Sequence, residues 1–175
     1  GQVAIARSVQ GELSPERLAQ QTLEVLGKHS AARAGVFYLR QPQGLERIGS
    51  WGADASALPR ELPVDEGHLG RAIREKEVIL LTGPEGTGLR WTSGLMGGRV
   101  ATGALVPLTE GGHVNGVIEL GFDKPLSAAG QLLMERVAEK VAIALRSAQY
   151  RQRAAELLEE TQRQAEELRN QADEL

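Results

Sequence analysis

The 175-residue chain contains no cysteine. That absence removes disulfides, zinc ribbons, thiol nucleophiles, thiolate-ligated clusters and any thioether-linked chromophore by residue type alone. Aromatic residues are almost as scarce, with two each of Trp, Tyr and Phe, and the formal net charge is -3. Neither a stacking platform for bases nor a broad positive field for phosphate backbones is available, so nucleic-acid binding is not expected. No apolar run approaches the roughly 20 residues of a membrane-spanning helix, and the N-terminus lacks a charged-then-apolar signal pattern. Membrane insertion is therefore not expected, and a cytoplasmic setting is.

What is present suits one core with an appendage, since 41% of the residues are hydrophobic. The chain starts abruptly at Gly1 and stops inside a helical pattern at Leu175, which reads as a piece of a longer protein with flanking domains.

Val3 to Val9 allows a short helical lead-in within residues 1–13. Ser14-Pro15, followed by Leu18, Thr22, Leu23, Val25 and Leu26, predicts a firmer helix. Ser14 caps it, Pro15 fits the first turn, where its missing N–H costs nothing, and Gly27 with the polar residues after it is expected to end it. Ala34 to Leu39 and Leu45 to Trp51 flank Gln41-Pro42-Gln43-Gly44 and predict a hairpin. A short helix follows from Gly67 to Arg74, with Asp65 available as its cap, and then a strand from Val78 to Leu81. Thr82 to Arg99 is glycine-rich and aperiodic, and reads as a long loop. Thr102 to Leu108 and Val114 to Phe122 predict a stronger, central hairpin around Thr109-Glu110-Gly111-Gly112-His113. Ser127 then caps a proline-free helical pattern that runs from Ala128 to the end.

The last part of that helix carries Ala154, Leu158, Thr161, Ala165, Leu168, Ala172 and Leu175 at alternating steps of three and four. Such spacing puts them on one seam of a supercoiled helix pair, so a homodimer is expected. Small residues at half of the seam make it thin, and Glu159 and Arg163 stand in the favourable i,i+4 order beside it. A passive dimerisation stalk and a signal-bearing connector share this pattern.

The order helix, hairpin, short helix, strand, long loop, strong hairpin and long helix resembles the GAF family. Three stretches carry the resemblance: EGHLGRAIREKEVILL at 66–81, GALVPLTEGGHVNGVIELGF at 103–122 and KVAIALRSAQ at 140–149. The segment ELLEETQRQAEELRNQ at 156–171 resembles the connector that follows such domains in bacterial hybrid sensor histidine kinases. The resemblance implies an α+β fold with a central antiparallel sheet of about six strands. Its terminal helices pack on one face, a loop-covered pocket lies on the other, and a long C-terminal coiled-coil helix leaves the domain. It divides the chain into a lead-in at 1–13, a sensory domain at 14–149 and a connector at 150–175. Alternation in Val117-Ile118-Glu119-Leu120 assigns Ile118 and Leu120 to the helix side and Val117 and Glu119 to the pocket side.

Chemistry-bearing motifs are sparse. Gly83 and Gly88 have the outer spacing of a phosphate loop, but Leu89 and Arg90 stand where Lys and Ser/Thr are needed. Gly67 and Gly70 lack a dinucleotide-binding context and read as relief of crowding. Phe122-Asp123-Lys124 is an isolated fragment of the signature of cyclic-nucleotide-binding relatives, while bilin attachment and sulfoxide reduction in other relatives use cysteines. His29, His68 and His113 lack metal-site spacing, so no metal and no identifiable cofactor are expected. Trp51, Arg90, Trp91, Met96, Arg99 and Glu119 are the pocket candidates; alternatively, Trp91 and Met96 plug the hollow as a lid. No nucleophile stands paired with a base, so catalysis is not expected. The resulting expectation is a regulatory module that relays the state of an unidentified small ligand or partner to an output domain such as a histidine kinase. The alternative is a ligand-free dimerisation scaffold.

Overall fold

The computed structural model describes residues 13–82, 90–92 and 97–175. The helical lead-in expected from Val3 to Val9 lies outside them. Helix α1 (Pro15–His29) begins as its sequence dictates, with Ser14 Oγ accepting from Arg17 N at 3.3 Å and Pro15 in the first turn. It leads into the hairpin of β1 (Ala32–Gln41) and β2 (Gly44–Trp51), then a 3-10 turn (Ala55–Ala57) and the short β3 (Glu61–Leu62). Helix α2 (Gly67–Glu75) and β4 (Ile79–Thr82) follow. Within the stretch expected to be a loop, β5 (Arg90–Thr92) and β6 (Gly97–Arg99) pair as a two-stranded ribbon. The strong hairpin is β7 (Thr102–Glu110) and β8 (His113–Phe122), longer than expected because its turn is only Gly111-Gly112, both at positive φ. Ser127 Oγ accepts from Gly130 N at 3.0 Å and starts α3 (Ala128–Glu174), an unbroken helix of 47 residues.

Six strands form one antiparallel sheet in the order β3-β2-β1-β8-β7-β4. Both of its faces are apolar, because the central strands alternate between two sets of buried side chains. Phe37, Leu39, Ala104, Val106, Leu108, Ile118, Leu120 and Phe122 pack against α1 and α3. Ala34, Val36, Tyr38, Leu105, Val114 and Val117 point the other way, where α2 contributes Ala72 and Ile73 and the segment after β6 contributes Val100. The assignment of Ile118 and Leu120 to the helix side thus holds. Helix α3 serves two environments. Met134, Val137, Ala138, Val141, Ala142, Leu145 and Ala148 form its buried stripe, and from Tyr150 onward every residue is exposed.

One local expectation holds only in part and another fails, each for an identifiable reason. Helix α1 ends among the polar residues after Gly27, at His29, whereas Gly27 itself lies inside the helix, with Trp51 packed where its side chain would be. A Cβ at Gly27 would stand 2.5 Å from the Trp51 ring. Asp65 does not cap α2: Glu66 occupies the cap position without a side-chain bond, and the Asp65 carbonyl instead accepts from Arg74 Nη1 at 3.1 Å. Gly70 does relieve crowding, since a Cβ there would lie 2.7 Å from the Asp65 carbonyl carbon.

Two outcomes test this packing. Gly27→Ala should destabilise the fold by about 1–3 kcal/mol through overpacking, despite alanine's better helix propensity. In a Trp51→Leu background the same change should stabilise instead. Urea unfolding of the four proteins checks this, and a more stable single Gly27→Ala variant would overturn the contact. Deleting residues 150–175 removes exposed chain, so Tm should fall by no more than about 5 °C. Loss of cooperative unfolding would show that the domain extends past Gln149.

Candidate functional site

The sheet face opposite α1 and α3 carries polar groups among its apolar ones. Glu119 on β8 sits between Val36 on β1 and Leu105 on β7 in the register of the sheet, so its side chain projects to the α2 side. Val36 and Leu105 are fully buried. Withdrawn from water by these neighbours, the Glu119 carboxyl is pushed up from the ordinary carboxylate range. Tyr38, diagonal to it across the β1–β8 pair, is 2% exposed, and its phenol is pushed up first by burial and then by the Glu119 charge.

Arg47 completes the group through an irregularity of the backbone. The β1–β2 register pairs Phe37 with Gly49 but Tyr38 with Arg47, leaving Ile48 as an extra residue on β2. This bulge shifts the phase of β2 by one residue. Arg47 and Leu45 therefore face the α2 side, with Arg47 near enough to Tyr38 for its charge to oppose the phenol's upward shift. The Arg47 Nε is buried without a hydrogen-bond partner among the described residues. Glu119 has no hydrogen bond or ion pair among them either.

The same bulge corrects the placement of Trp51. Expected in the pocket, it pairs with Gly35 beyond the bulge and turns to the helix side, over Gly27 and against the α1/α3 core. Of the other candidates, Glu119 is on the expected face. Arg90, Trp91 and Arg99 lie on the β5–β6 ribbon, which approaches β1, but their side chains fall outside the described residues, as does Met96 altogether. Sequence reading missed Tyr38 and Arg47. Tyr38 was legible from alternation in Ala34 to Leu39, whereas Arg47 was not, because the bulge leaves no local signal. Expected seam residues Ala154, Leu158, Thr161, Ala165, Leu168, Ala172 and Leu175 are all exposed on α3. Beside them, Arg163 pairs with Glu167 at 2.8 Å and not with Glu159, the partner expected from spacing.

The arrangement offers a carboxylate, a phenol and a guanidinium on a largely apolar wall, suited to orienting a small polar ligand.

A family model described as GAF domain matches residues 12–146. A search of curated proteins finds no match. Among solved structures, the chain is similar to the GAF domain of an Acinetobacter phosphoenolpyruvate-protein phosphotransferase, at 15% identity and a TM-score of 0.70. That alignment covers 85% of this chain and 92% of the other. A GAF domain/HD domain protein from Geobacter sulfurreducens aligns at 22% identity and a TM-score of 0.65, covering 81% and 98%. The free methionine-R-sulfoxide reductase of Neisseria meningitidis aligns at 18% identity and a TM-score of 0.65, covering 83% and 86%. Similar reductases from Staphylococcus aureus and Thermoplasma acidophilum share the fold. These enzymes correct the expectation that catalysis is foreign to this chain: its architecture is one that also supports catalysis.

The Glu119 environment has a measurable consequence. Its folded-state pKa is raised, so the protonated form favours folding, and stability is lost as pH rises through that value. Glu119→Gln removes the cost of burying charge. The variant should unfold at a higher Tm than the parent at about pH 7–8, and the gain should vanish below about pH 4, where the parent carboxyl is protonated in both states. An equal Tm at both pH values would contradict the burial.

Proposed function

The chain belongs to the GAF domain family, and from that premise we propose that it is a sensory or regulatory module of a cytoplasmic signalling protein, homodimeric through α3. It would bias a downstream output domain such as a histidine kinase, according to what occupies the face around Glu119, Tyr38 and Arg47. The observation that carries this reading is the continuity of α3. One unbroken helix is buried on the sheet up to Ala148 and exposed from Tyr150 onward, with apolar residues at steps of three and four. Leu158 and Leu168 are 60% and 67% exposed, a cost that a second copy would offset by burying them.

Further apolar residues of α3, Ile143 on its packed part and Tyr150 and Leu157 beyond it, are exposed at seven-residue steps. Joining Tyr150 and Ala154 to Leu158 takes two successive steps of four, a stutter that locally unwinds a supercoil. A coil of this kind, with a thin seam and a soft point at its root, suits a connector that switches between arrangements. A ligand would shift those arrangements only by its differential affinity for them.

A scaffold reading has one observation in its favour. Ala72, Ile73 and Val100 already fill part of the face beneath α2.

Sedimentation velocity tests the dimer. The parent should sediment as a dimer, and Leu168→Glu should shift it towards monomer with unchanged circular dichroism, by placing charge in the packed seam. Identical sedimentation of the two would remove the seam. Native mass spectrometry of the parent separates the readings, because retained extra mass supports the sensor and a bare dimer supports the scaffold.

A further inference from the structure

Where α3 leaves the domain, a groove of about 690 Å³ opens between the helix and the β1–β2 and β7–β8 turns. Its walls hold Arg40 from β1, His113 and Asn115 from β8, and Arg146, Gln149 and Arg153 from α3. None of the described lining residues is acidic. Composition does not explain this, because the chain carries a net charge of -3, and the other described grooves include Glu46 and Glu61 in one and Glu77, Glu135 and Glu139 in another.

The three guanidiniums are unequally committed. Arg146 is held in place: Nη1 donates to Glu110 Oε2 at 3.0 Å, and Nε and Nη2 donate to Tyr150 Oη at 3.1 and 2.9 Å. Arg40 uses one N–H, from Nη1 to the Val114 carbonyl at 3.2 Å, which leaves the rest of its fork available. Arg153 has no ion pair among the described residues. Glu110 thus neutralises one of three positive charges. The remainder faces an open space flanked by three side-chain amides and an imidazole.

We propose that this groove is a binding site for a small oxyanion of two or more negative charges, with Arg40 and Arg153 as its main ligands and Arg146 as a prealigned third. Bidentate recognition by guanidinium suits phosphate and carboxylate groups alike. Such an anion would bridge strand β1 to α3 beyond its last buried residue, Ala148. It would thereby fix the direction in which the exposed half of α3 departs. The site lies at the helix root, apart from the face that carries Glu119.

Isothermal titration of the full chain at low ionic strength, with inorganic pyrophosphate and with citrate as probes, tests the site. The expected result is one saturable site per chain for at least one probe, weakened about tenfold or more by Arg40→Gln and by Arg153→Gln. Arg163→Gln, on the free part of α3 and paired with Glu167, should leave affinity unchanged. Preference for pyrophosphate would identify a phosphate-bearing ligand, and preference for citrate a polycarboxylate. Absence of saturable binding to both probes would overturn the proposal, as would equal losses from Arg163→Gln and Arg153→Gln. Arg153 is exposed, so its substitution reports on binding without a folding defect. Failure here would leave the dimeric relay untouched, since sedimentation tests that separately.

Discussion

The sheet's central constraint is that both of its faces are apolar. Strands β1, β7 and β8 send alternate side chains to opposite sides, and each set must be removed from water. One side is closed by α1 and α3, which come from the two ends of the described domain. The other is closed by α2 and the segment that follows the β5–β6 ribbon. Termini and middle of the chain are thus tied to the same strands. A change on one face is separated from the helix on the other by a single sheet about one residue thick, with Ile118 and Leu120 touching the helices and Glu119 between them facing away.

That geometry gives the partly buried polar group its significance. A carboxylate among Val36 and Leu105 costs solvation that an aliphatic side chain would not, and Arg47 Nε is likewise enclosed without a partner among the described residues. Such groups are poor choices for stability alone. They acquire a purpose if something else completes their hydrogen bonds. The fold itself is compatible with several uses, since sulfoxide reductases and domains attached to phosphotransferases share it, so the argument for function rests on these side chains and on α3.

Helix α3 runs from the core into its exposed half without a break. Its first part is stabilised by burial against β7 and β8, while its last part has the same backbone but no core. Between the two regimes lie the basic groove, the Arg146–Tyr150 contact, and the bond from Arg151 Nη2 to the Leu13 carbonyl at 3.1 Å. Polar contacts concentrated at that junction are easier to make and break than apolar packing. They make the junction the natural place for the helix to be redirected.

The local elements were legible in the sequence because their causes are local. Ser14 and Ser127 cap helices through bonds to residues three positions away, Gly111-Gly112 permits a tight turn by its backbone freedom, and the alternation in β8 follows from the pleat. Residues distant in the chain decided the rest. The extra residue Ile48 inverts the phase of β2, sending Trp51 to the helices and Arg47 to the opposite face, and only pairing with β1 defines it. Gly27 has the composition of a helix stop, yet it sits inside α1 because Trp51 packs against it. The groove of Arg40, His113, Arg146 and Arg153 exists only once three elements meet. Periodicity and capping are short-range properties carried by neighbouring residues, whereas strand phase, close approach and charge convergence are set by which surfaces the tertiary fold brings together.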